Sequence, residues 1–243
     1  MPTNTTNRRE RPDLAGRDGP YGGGPESLAA CVILVTMESD PATRRREAVI
    51  AGHLGDEQLA WTALADPDPK TRASAIGALN RMGMIGAKEL EPLLKDPSSE
   101  VRKRACQIAP RLPRDASRKG DRPKVASILR DTLSDEDPLV AEMACWALGE
   151  LKDRRAVNPL MTLIRDHPDS RCREAAVAAL GAIGDQRGLE GVLAGLEDKA
   201  TVRRRAVVAL AAFRGPESEE AIRKCLEDRD WQVRDAAKIL LDV

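Results

Sequence analysis

The stretch HPDSRCREAAVAALGAIGD, His167 to Asp185, decides the fold because six other stretches follow the same plan. They read DPATRRREAVIAGHLGD from Asp40, DPDPKTRASAIGALNRMG from Asp66, DPSSEVRKRACQIA from Asp96 and DEDPLVAEMACWALGEL from Asp135. The last two are EDKATVRRRAVVALAAF from Glu197 and DRDWQVRDAAKILL from Asp228. The plan is an Asp, an Arg six residues later, then an Ala-rich apolar run that often closes on Leu-Gly. A unit near 30 residues cannot bury its own apolar face and must share it with neighbours, so the pattern predicts a stacked solenoid.

Aligning the copies on Arg46, Arg72, Arg102, Ala141 in place of Arg, Arg173, Arg203 and Arg234 gives spacings of 26, 30, 39, 32, 30 and 31 residues. Three positions on stand Val49, Ala75, Ala105, Ala144, Ala176, Ala206 and Ala237, small enough in most copies for two helices to approach closely. The next position holds Ile50, Ile76, Cys106, Cys145, Val177, Val207 and Lys238, and three further on come His53, Leu79, Ala109, Leu148, Leu180, Leu210 and Leu241. That stripe has helical pitch, so each unit opens with an amphipathic helix.

A second apolar segment lies between these helices, as in VNPLMTLI from Val157, LEGVLAGL from Leu189 and AIRKCL from Ala221. Asp56, Asp153 and Asp185 stand where a carboxylate caps its first turn, and Pro216 suits a first helical position. Gly83, Gly184 and Gly215 are available for the bends. The chain has 42% apolar but only 2% aromatic residues, so its core must come from Ala, Leu, Val and Ile. No segment alternates apolar and polar residues with the β-branched enrichment of strands, which makes the fold all-α.

The Asp-Pro turn, the Val-Arg opening (Val101-Arg102, Val202-Arg203, Val233-Arg234), the Ala-rich helix and the Leu-Gly close resemble HEAT repeats, in particular the short HEAT-like repeats of phycobilin lyases. The resemblance runs from about Glu26 to Val243 and implies a right-handed α-α superhelix of about six helical hairpins with incomplete end units. It implies no particular activity, because one superhelix serves adaptors, enzymes and nucleic-acid binders alike.

Residues 1–25, rich in Gly and Pro with mixed charges, lack the apolar content to fold and are expected to form a disordered tail. The run LAACVILVTM, Leu28 to Met37, reads as the second helix of an incomplete opening unit. Leu28 to Cys31 carry the letters of a lipobox and Arg8-Arg9 those of a twin-arginine signal, but the apolar region that either needs is missing. A cytoplasmic protein with no membrane span is therefore expected. The five cysteines include no C-x-x-C pair, which gives neither a disulfide framework nor zinc spacing.

The recurrent Asp40, Asp66, Asp96 and Asp228 with Arg46, Arg72, Arg102, Arg173, Arg203 and Arg234 form a candidate structural ladder. In HEAT repeats the matching Arg hydrogen-bonds the turn that carries the Asp, and the resemblance implies the same here, in the Arg's own unit or the next. Bidentate geometry explains Arg rather than Lys. Read functionally, the same row would be a basic stripe for a phosphate backbone, joined by Arg44-Arg45, Lys103-Arg104, Arg204-Arg205 and a basic insertion at about 110–123. Against that, 39 basic residues are balanced by 39 acidic ones, and the aromatics that would stack on single-stranded bases are few.

No catalytic residue, cofactor or metal site is expected. His53 falls on the apolar stripe and His167 in a Pro-containing turn, and the His-Glu pairs of the deoxyhypusine hydroxylase type are absent. A bilin-handling pocket would need convergent aromatics, whereas Trp61, Trp146, Phe213 and Trp231 are scattered over different units. What remains is a surface made by stacking. The resemblance implies that the second helices line the concave side, where Trp61, Glu91, Arg130, Met161, Leu193 and Arg223 form a row with the composition of an interface centre. The same periodicity lets Trp61, Met161 and Leu193 complete the core instead. The resulting expectation is a non-catalytic protein-binding scaffold, with a nucleic-acid-binding module or a bilin-lyase-like protein as the alternatives.

Overall fold

The structure, a computed structural model, describes residues 39–112 and 121–242. The expected tail at 1–25, the run at 28–37, Cys31 and most of the insertion at 110–123 lie outside the described residues. Among those described, thirteen α-helices follow one another with no strand between them. They are α1 (Pro41–Leu54), α2 (Glu57–Leu64), α3 (Pro69–Arg81), α4 (Ala87–Leu93), α5 (Ser99–Ile108), α6 (Asp121–Thr132) and α7 (Pro138–Leu151). Then come α8 (Val157–Asp166), α9 (Ser170–Ile183), α10 (Leu189–Ala194), α11 (Ala200–Leu210), α12 (Pro216–Lys224) and α13 (Trp231–Leu241). All belong to one unit, Pro41–Val243.

The helices start where the sequence offers acceptors. Asp68, Asp137, Asp169 and Asp230 each take a backbone N–H from the first turn of α3, α7, α9 and α13, which satisfies groups that no intrahelical carbonyl reaches. Asp56 caps α2 in the same way, and Asp153 and Asp185 cap the short 3-10 turns that lead into α8 and α10. Helix α9 ends on Gly184, whose φ of 65° is the left-handed conformation a side chain disfavours.

Odd-numbered helices form one layer and even-numbered helices the other. In the odd layer every successive pair packs closely, whereas in the even layer only α4 with α6 and α8 with α10 do so. Small residues allow the odd layer its spacing: a Cβ on Gly52 would lie 2.6 Å from the Ala78 Cα, and one on Gly181 would lie 3.0 Å from the Ala209 Cα.

The core between the layers is aliphatic, with Ile76, Leu79, Leu90, Leu129, Leu148, Leu160, Leu180 and Leu210 fully buried. The stripe predicted for the first copy is corrected. Val49, Ile50 and His53 are exposed, while Ala48 and Ala51 are buried in their place. The helical phase of α1 is set two residues earlier than the alignment on Arg46 assumes.

Candidate interaction surface

The recurrent Arg and Asp meet across unit boundaries. Arg44 donates through Nε and Nη2 to the Asp66 carboxylate at 2.7 and 3.2 Å, and Arg72 does so to Asp96 at 3.0 and 2.8 Å. Arg102 binds Asp135 through two contacts of 2.8 Å, Arg173 binds Asp198 at 2.6 and 2.7 Å, and Arg203 binds Asp228 through two contacts of 2.8 Å. The remaining nitrogen, Nη1, donates to carbonyls in the Arg's own turn, as from Arg72 to Asp66 and Pro67 and from Arg173 to His167 and Pro168. Both geometries left open by the sequence thus occur in one side chain. The carboxylate in turn accepts a backbone N–H from its own turn, at 2.8 Å from Asp68 to Asp66.

Three positions depart from the expected ladder. Arg44, not Arg46, makes the first rung, and Arg46 is exposed. Asp40 is also exposed. In the sixth copy the acceptor is Asp198, one residue after the aligned Glu197. The boundary between α7 and α9 has no rung: Ala141 replaces the donor and His167 replaces the acceptor, so both halves of one pair are missing together. His167 keeps the turn, since its Nδ1 accepts the Asp169 N–H at 3.1 Å. Arg234 donates to the Asp228 carbonyl.

The last two rungs have an electrostatic signature. Hydrogen bonding from Arg173 and from Arg203 holds the Asp198 and Asp228 carboxyls below the usual carboxylate range, and the same bonds raise Arg173 and Arg203. A depressed carboxyl contributes stability that is present above the unfolded value of about 3.9 and is lost as pH falls through the folded value. The melting midpoint is therefore expected to be flat from pH 7 to about 5 and to fall below about pH 4. Replacing Asp198 and Asp228 together by Asn should flatten that acid limb. An unchanged acid limb in the double variant contradicts this assignment.

The residues proposed for a partner surface do not form a free row. Arg130 is paired with Asp153, and both side chains are largely buried. Met161 packs where a Cβ on Gly191 would lie 2.7 Å from its Cγ, and Leu193 is half-buried against the core. Glu91 is held between Lys95 and Lys124. Trp61 is partly exposed, and Arg223 pairs with its helical neighbour Glu219.

A different row is open. Five residues after each ladder position stand Val49, Gly77, Gln107, Trp146, Ala178, Val208 and Ile239, all on the outer side of the odd helices. Val49, Trp146, Val208 and Ile239 are each 39% exposed or more. Beside Trp146 lies a groove of about 430 Å³, floored by Ala175, Ala178 and Ala179 and edged by Met143, Glu142 and Arg205. A second groove, of about 480 Å³, crosses α1, α3 and α5 and is lined by Arg45, Lys70, Arg81, Lys103 and Arg104. The sequence carried this row as a position at fixed offset from the Arg that is apolar in Val49, Trp146, Ala178, Val208 and Ile239, but it was hidden by the wrong phase of the first copy.

With this geometry in view, the comparisons with known proteins agree. The HEAT repeats family matches residues 87–181 and 126–201, and the PBS lyase HEAT-like repeat matches 202–228. The chain belongs to the HEAT-repeat family. Solved structures share the HEAT-like fold at low identity. A designed armadillo repeat protein in complex with the peptide (KR)4 is 21% identical, with a TM-score of 0.54 over 75% of this chain and 97% of that one. The protein YibA of Escherichia coli is 17% identical, with a TM-score of 0.55 over 91% of this chain and 77% of its own. An engineered protein is 20% identical, with a TM-score of 0.53 over 77% and 95%. No curated protein matches the chain.

The HEAT units hold no reactive thiol among the described residues. Cys106, Cys145, Cys172 and Cys225 are free and buried, and burial pushes their thiols up, to about 12 at Cys106 and about 11 at Cys172 and Cys225. Among the described residues no group of His, Cys, Asp and Glu is placed to hold a metal, and no helix is long and apolar enough to cross a membrane.

Proposed function

We propose that this chain is a non-catalytic protein-binding scaffold whose partner lies along the exposed faces of α1, α3, α5, α7, α9 and α11. The observation that carries this reading is Trp146, 39% exposed beside a floor of alanines on a surface fixed by the fold. A rigid aromatic next to a shallow apolar floor, rimmed by the charges of Glu142, Glu150 and Arg205, has the composition of an interface centre. The surface is already formed, so binding orders few side chains and little affinity is lost to entropy. The complex of the designed armadillo repeat protein with the peptide (KR)4 supports the reading, because a repeat stack of similar fold binds a peptide.

The bilin-handling alternative finds no support in the positions of the aromatics. Trp61 is on α2, Phe213 is buried, and Trp231 opens α13, so none shares the groove of Trp146. Four free, buried cysteines suit a reducing compartment such as the cytoplasm. The experiment is affinity purification with the unaltered chain and with Trp146→Ala. Loss of a central aromatic costs about 2 kcal/mol or more, so captured protein should fall by a factor of ten or more while the melting midpoint holds. Equal capture by both chains, or recovery of nucleic acid alone, overturns the proposal.

A further inference from the structure

The two halves of the odd-helix face differ in charge. Around the groove on α1, α3 and α5 the charged residues are Arg45, Lys70, Arg81, Lys103 and Arg104 against Glu100 alone, and Glu100 is occupied by Lys103 at 3.1 Å. Lys70, Arg81 and Arg104 have no carboxylate partner among the described residues, whereas every rung arginine has one. Arg104 is the most informative. Its guanidinium lies over Gly77, where a Cβ would come within 2.6 Å of Nη2, and the bond from Nη1 reaches the uncharged Oε1 of Gln107 at 3.1 Å. Burial, then the like charges of Arg111 and Arg81, pull its guanidinium below its ordinary value. Nearby, Arg45 faces Asp68 at longer range, and its Nε is buried without a hydrogen-bond partner.

A half-buried cation surrounded by cations is unfavourable in the free protein, and an arriving anion relieves it. Building on the scaffold reading above, we propose that the α1–α3–α5 groove binds an acidic stretch of a partner polypeptide. Three helices spaced at about 8–10 Å give a trough of roughly 20 Å, the length of about six extended residues. A polyphosphate fits less well. The same face continues into Glu142 and Glu150 on α7 and Glu174 on α9, which repel a uniformly charged strand, and no aromatic lines the basic groove for a base to stack on. A polypeptide instead changes character along its length, placing carboxylates on Lys70 and Arg104 and apolar side chains against Trp146.

The test is fluorescence anisotropy with a labelled octapeptide of alternating Asp and Glu. Its comparators are an Asn/Gln octapeptide, a Lys/Arg octapeptide and a thymidine oligonucleotide of the same length, at low and at physiological salt. The acidic peptide should bind tightest and weaken with salt. Arg104→Gln and Lys70→Gln should each lose roughly tenfold, a factor a charge-assisted contact commonly supplies. Gly77→Ala should weaken binding similarly by displacing the Arg104 guanidinium, while Arg165→Gln, on α8 outside both grooves and paired with Asp166, should bind as the unaltered chain does. Arg104→Gln should melt no lower than the unaltered protein, which separates lost binding from lost fold. Tighter binding of the oligonucleotide, equal binding of the Asn/Gln peptide, or indifference to Arg104→Gln and Lys70→Gln overturns the proposal. Should the acidic peptide fail while Trp146→Ala still abolishes capture, the scaffold stands and this charge assignment falls.

Discussion

Arg203→Ala is expected to destabilise the C-terminal repeats by about 3–5 kcal/mol, the range for removing one partner of a buried ion pair. Three losses combine. The Asp228 carboxylate, 14% exposed, loses both guanidinium hydrogen bonds. The Asp198 carbonyl loses its donor, and the aliphatic stem of Arg203 no longer fills the space beneath the turn. Because a repeat stack need not unfold as one unit, hydrogen exchange is the suitable measurement, with protection lost first in α12 and α13. The double variant Arg203→Ala with Asp228→Ala should recover part of that loss, since no carboxylate is then left uncompensated. By contrast Arg223→Ala, which breaks an exposed pair with Glu219, should change stability by less than about 0.5 kcal/mol. A ladder substitution as mild as Arg223→Ala would show that the rungs do not hold the repeats together.

Gly181→Val should be nearly as damaging, at roughly 2–3 kcal/mol, because overpacking at a closed contact exceeds the few tenths gained in helix propensity. The side chain would meet backbone, since even a Cβ lies 3.0 Å from the Ala209 Cα and 2.8 Å from its Cβ. Helices α9 and α11 must then separate along their length. Gly77→Ala offers the matched control, because its neighbour is the end of the Arg104 side chain, which can swing away. Removing a mid-helix glycine there should stabilise by about 0.5–1 kcal/mol. Thermal melting of the two variants should move in opposite directions, and a loss of stability in both would contradict the difference in what each Cβ meets.

How far the sequence could be read follows from what repetition does and does not encode. The all-α architecture, the units, the caps at Asp56, Asp153 and Asp185 and the aliphatic core were legible, because each repeats or has a local cause. The first rung was misassigned because Arg44, Arg45 and Arg46 stand side by side. Only packing, which buries Ala48 and Ala51, shows which of the three points into the turn. Which side chains of the second helices stay exposed was not legible either, since it depends on packing between helices that share no local signal. The exposed row was hidden by the wrong phase of the first copy, although Trp146 and Val208 already stood at matching offsets. Arg130 resembled a surface cation until Asp153, 23 residues later in the chain, was found beside it.

The rung joins a donor in one module to an acceptor in the next, and this has a consequence for how such a chain grows. A segment copied in tandem at module length brings its own Arg for the module that follows and its own Asp for the one before. No compensating change elsewhere is needed, and the insertion is born already fastened. The junction holding Ala141 and His167 follows the opposite rule: it has dispensed with both halves at once, so a duplicate spliced there would be joined without that ion pair. Lengthening by duplication is thus best tolerated on either side of that junction, where each copy arrives with its own fastening.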